Sequence, residues 1–105
     1  MIEYKAELSN EPSMVDATRV HVVKIITNPS GSRLRGSDLL FHYDFMDFLG
    51  DWILDHVHRQ LFIGRKSING FQTSFRFTSC QIAKDFEASF NNNLLLFKLA
   101  YTKNE

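Results

Sequence analysis

Apolar and polar residues alternate from the start of the chain. In "MIEYKAEL", Ile2, Tyr4, Ala6 and Leu8 fall on one side and Glu3, Lys5 and Glu7 on the other. A period of two marks a strand with one face in a core and one in water, and interleaved charges suit a sheet edge. "SNEPS" breaks the pattern, and "MVDAT" after it fits a single turn of helix. "RVHVVKIIT" (19–27) is dense in β-branched residues and predicts a second strand, with His21 on its outer face. "NPSGSRLRGS" then combines Pro29, Gly31, Gly36 and three serines, which predicts a loop carrying Arg33 and Arg35.

From 45 to about 59 the period becomes helical, with Phe45, Phe48, Leu49, Trp52 and Ile53 on one side. The stop falls between Arg59 and Gly64, and Gly64 suits a C-terminal cap. "DLLFHY" (38–43) admits two readings. We prefer a strand followed by Asp44 as helix cap; the other is a longer helix capped by Ser37. "RKSING" reads as a polar turn, and "FQTSFRF" (71–77) alternates as a strand. Thr78 and Gln81 fit a capping box for a helix with Ile82, Ala83, Phe86 and Phe90 on one side. The asparagines at 91–93 predict its end, and "LLLFKLAYT" a final, central strand.

These elements predict a two-layer α+β domain: a mixed or antiparallel sheet of four to five strands with two main helices on one face. Residues 19–101 fit a ferredoxin-like split βαβ if a short strand lies near "LFIG". The 105 residues suit one domain spanning 1–105, and ten phenylalanines point to a core of large rings. Twelve basic and twelve acidic residues cancel, which argues against a dedicated duplex DNA binder. Near neutrality also leaves little repulsion between copies, so a homodimer is compatible with the charge. The single cysteine, Cys80, can form no internal disulfide and reads as a packing residue at the start of the second helix. No apolar run has signal-peptide or membrane-spanning length, so the expectation is a cytoplasmic protein without a membrane partner.

The candidate chemistry centres on "DFMDFLGDWILDH" (44–56). At about 100° per residue, Asp44, Asp47, Asp51, Asp55 and His58 fall within roughly 80° of arc on a helix. Phe45, Leu49, Trp52 and Ile53 take the opposite side. Aspartate is a poor helix former, and like charges four apart repel, so glutamate or lysine would solvate the edge at lower cost. The row is either a solvated face, a docking edge for a basic partner, or oxygen and nitrogen ligands at a permissive metal spacing. We take Asp44, Asp47, Asp51, Asp55 and His58 as partner-binding residues and expect no metal or other cofactor. The alternative is a small nucleic-acid-binding domain using the loops at 33–35 and 65–66, with Arg33, Arg35, Arg65, Lys66 and Arg76 as contacts. His56 lies on the Trp52 side as a satisfied core or boundary histidine, and His42, Tyr43 and Asp44 form the one compact acid–base trio. No nucleophile or catalytic motif accompanies them, so an enzyme is not expected.

The stretch "FRFTSCQIAKDFEASFNNNLLLFKLAY", about a quarter of the chain, resembles the ending of small phage-encoded accessory proteins. In these a phenylalanine-rich strand runs into a short helix and then a strand with an LFKL-type run. The resemblance implies a small protein of the host cytoplasm that inhibits or modulates a host or phage protein complex by occupying its surface. It carries over no site residues.

Overall fold

The computed structural model describes residues 2–12, 19–28, 33–68 and 72–103. The elements run β1 (Glu3–Pro12), β2 (Arg19–Asn28), α1 (Gly36–His56), β3 (Phe62–Ile68), β4 (Gln72–Phe77) and α2 (Cys80–Lys103). The strands form one antiparallel sheet in the order β1-β2-β4-β3. The protein is thus α+β, with four strands and two helices. The segment "MVDAT" and the stretch 29–32 lie outside the described residues.

The strand expected near "LFIG" exists and absorbs part of the "RKSING" turn. β2 and β3 run parallel on either side of β4, with α1 as their connection. That is a split βαβ. The remaining place, beside β2, belongs in a ferredoxin-like arrangement to a strand that follows the second helix. Here β1 fills it from the N-terminal side.

With that place taken, the slot beside β2 is closed to "LLLFKLAYT", and it continues α2 to Lys103 instead of forming a strand. Leucine is a good helix former, and Phe86, Phe90, Asn93, Phe97 and Tyr101 extend one inward stripe at steps of three and four. The three asparagines therefore lie inside the helix, Asn93 buried and Asn91 and Asn92 exposed.

α1 also departs from expectation. Residues 38–43 are its first turns rather than a strand, because Phe41 and His42 face inward one turn before Phe45. Ser37 is not its cap: Arg35 is, with no side-chain cap bond, and Gly36 turns the chain at φ 58°, a left-handed geometry that favours glycine. The helix ends at His56, well before Gly64, which sits at φ 151° beside a register shift in β3. At α2 the cap is Ser79, whose Oγ accepts the Ile82 amide at 3.3 Å. Thr78 instead donates to the Gln60 carbonyl, and Gln81 to Asp85.

Both helices lie on one face of the sheet. One core cluster joins Val23 and Ile25 of β2 and Phe75 and Phe77 of β4 to Phe45, Leu49 and Ile53 of α1 and Phe86, Phe90 and Phe97 of α2. Tyr4, Ala6 and Leu8 of β1 pack against its margin. The Phe45 ring meets Tyr4, Phe41, Phe90 and Phe97 at centroid distances of 5.0 to 6.2 Å. Each fully buried ring contributes about 1.5–3 kcal/mol of transfer free energy. His21 pairs across from Phe77 and so lies on the helix-side row, not the outer one; Val20 and Val22 take the outer face. A central strand is apolar on both faces, which is why alternation misassigns it.

Candidate docking surface

α1 carries five aspartates, Asp38, Asp44, Asp47, Asp51 and Asp55, and no lysine or arginine. All five are exposed. One is neutralised: Arg65 of β3 reaches across to Asp47 Oδ1 at 2.7 Å and also donates to the Met46 carbonyl at 2.8 Å. A Cβ added at Gly50 would lie 3.5 Å from Arg65 Nη1, an ordinary contact, so the pair does not depend on the glycine. The pair is largely solvent-exposed and contributes about 0.2–1 kcal/mol. Among the described residues Asp44, Asp51 and Asp55 have no ion-pair partner.

His58 does not join the row. It lies beyond the end of α1, where its Nδ1 accepts the Gln60 amide at 3.2 Å. Among the described residues no three His, Cys, Asp or Glu side chains converge as metal ligands do.

Apolar side chains share this outer surface, and sequence reasoning missed them. Leu40, Tyr43 and Leu54 of α1 and Leu95, Leu96 and Leu99 of α2 are 45–66% exposed. The helices pack antiparallel: Phe41 meets Phe97 and Tyr101, while Trp52 meets Phe86. Leu40 and Tyr43 lie near the start of α1, and Leu95, Leu96 and Leu99 near the end of α2, so all five stand at the same end of the helix pair. The signal was present as surplus: "LLLF" holds more apolar residues than one inward stripe can take. At the other end of α1 a cleft of about 410 Å³ opens toward β3, lined by Asp47, Gly50, Asp51, Leu54, Phe62 and Arg65.

The five basic residues are divided between the start of α1 and the two faces of the sheet, with Lys66 and Arg76 together on the face away from the helices. Arg33 and Arg35 precede α1, and Arg35 donates to the Leu34 carbonyl at 2.9 Å. Arg65 is held on the helix side by Asp47. Arg76 is ion-paired with Glu11, its register partner Gly64 lying next to Arg65 in β3. Lys66 is exposed across from Ser74.

The expected acid–base trio is split, since Tyr43 and Asp44 are exposed while His42 is buried. The His42 ring stacks on Tyr4, whose hydroxyl lies 3.3 Å from Nδ1. Burial lowers the imidazole pKa below its ordinary value. Burial, and then the charge of Asp38, push the Tyr4 phenol well above its own. Both groups are neutral near pH 7 and serve packing. His56 stacks on Trp52 at 4.5 Å and donates from Nδ1 to the Trp52 carbonyl, but it is exposed rather than at the core or its boundary. Cys80 is exposed, so it is not the packing residue expected.

No protein-family model, curated protein or solved structure matches the chain. No helix among the described residues is long and apolar enough to cross a membrane.

Proposed function

We propose that the chain is a small protein-binding module whose helix layer docks a partner bearing basic side chains around an apolar contact, and that it modulates the partner by occupying its surface. One observation carries the reading. α1 presents a row of aspartates with, among the described residues, a single internal counter-charge, and both helices leave large apolar side chains in water. Folding requires neither feature. An exposed apolar patch with a charged rim is the usual anatomy of a protein contact, the apolar centre supplying affinity and the charges orientation and on-rate.

The partner expected is a protein surface or amphipathic helix rich in lysine or arginine. Cross-linking of the captured complex tests this. Cross-links should join the partner to the helix layer around Asp44, Asp51 and Leu96. Contacts confined to the strand face opposite the helices overturn the reading.

A further inference from the structure

The two edges of the sheet are built differently. β3 carries a register shift between Phe62 and Gly64, and such irregularities turn an edge away from further pairing. β1 has none: ten consecutive residues, Glu3 to Pro12, pair with β2 in unbroken register. Among the described residues no strand covers its other side. Its inward side chains Tyr4, Ala6 and Leu8 are only half buried. A cleft of about 320 Å³ runs between this edge and α2, lined by Tyr4, Lys5, Ala6, Glu87, Phe90 and Asn91. A long, regular edge with an unfilled apolar margin is a template for another strand.

We propose that β1 pairs with itself: two copies of the chain join their β1 strands antiparallel about a two-fold axis at Ala6, fusing two four-stranded sheets into one. The charges select the occupant and the register. In a two-fold antiparallel pair only residues on the same face can oppose each other, so the axis must pass through a residue. An axis at Lys5 sets Lys5 against its own copy and Glu3 against Glu7. An axis at Glu7 opposes Glu7 to itself and Glu3 to Glu11. Both place like charges face to face, which is unfavourable. An axis at Ala6 sets Lys5 of each copy against Glu7 of the other, twice, and Tyr4 against Leu8 on the helix side. An axis at Tyr4 shortens the overlap, and one at Leu8 directs Lys5 to Glu11, which already holds Arg76. Within one copy Lys5 and Glu7 form an exposed 3.3 Å ion pair along the strand, which the dimer exchanges for two pairs across it.

The inference stands apart from the docking surface, because β1 and the outer helix faces share no residues. Sedimentation equilibrium of the full chain tests it. The 12.2 kDa chain should sediment at twice its mass as concentration rises. Lys5→Glu should weaken the dimer by about tenfold or more, and Lys5→Glu combined with Glu7→Lys should restore it, with circular dichroism unchanged throughout. A chain that stays monomeric up to submillimolar concentration overturns the proposal. So does a dimer indifferent to Lys5→Glu, one that dissociates on Leu96→Lys instead, or a folded double variant that does not re-associate.

Discussion

α1 and α2 are built alike on the inside and differently on the outside. Each lays a stripe of phenylalanines against the same sheet, and the two stripes meet at Phe45, Phe90 and Phe97. Outside, α1 shows five aspartates and no lysine or arginine, whereas α2 mixes lysines with acids and turns Leu95, Leu96 and Leu99 to water. If the outer faces only kept the helices soluble, mixed charge would serve both. The difference therefore separates what holds the fold from what is free to meet a partner.

Breaking the shared inside should have the largest effect. Phe45→Ala removes a fully buried ring from the junction of both helices and β1 and should cost about 3–5 kcal/mol by chemical denaturation. That is a large share of the stability of a small domain. The outer row should behave in the opposite way. Reversing Asp44, Asp51 and Asp55 to lysine together should leave stability within about 0.5 kcal/mol, since exposed charges contribute little.

Acid should sharpen the contrast further. His42 is buried with a pKa below its unfolded value, so below about pH 6.5 the unfolded chain binds the extra proton and the folded one resists it. Stability should fall as pH drops from that point toward the lowered folded value, and His42→Leu should flatten the fall. Denaturation midpoints between pH 7 and pH 5 would show it. The smallest effects lie at single sites in each helix. Asn93 is buried and its Oδ1 has no hydrogen-bond partner among the described residues, so Asn93→Leu should stabilise α2 by about 1 kcal/mol. Gly50→Ala should add about 0.5–1 kcal/mol to α1, because the new methyl meets Arg65 only at ordinary contact distance. Thermal melting would detect both.

The same contrast explains what could be read from the sequence. The strands at β1, β2 and β4 and the inward stripe of α1 follow from local periodicity, and so does the placing of four aspartates on one exposed helix face. The C-terminal half of α2 does not. "NNNLLLFKLAY" is ambiguous locally, and only the occupation of the sheet place by β1, a contact distant in sequence, decides for helix. His58 left the row because the helix ended at His56, and helix ends are set by capping and packing that spacing does not encode. The Arg65–Asp47 pair joins α1 to a later strand and was equally invisible.

The most direct test of the docking surface compares the affinity of the captured partner for the wild-type chain and for Asp44→Lys/Asp51→Lys/Asp55→Lys as salt is raised. Wild-type affinity should fall with salt, and the folded variant should bind about tenfold or more weakly with little salt dependence left. Equal affinity and an equal salt response in the two proteins would contradict the assignment of the acidic row to partner binding.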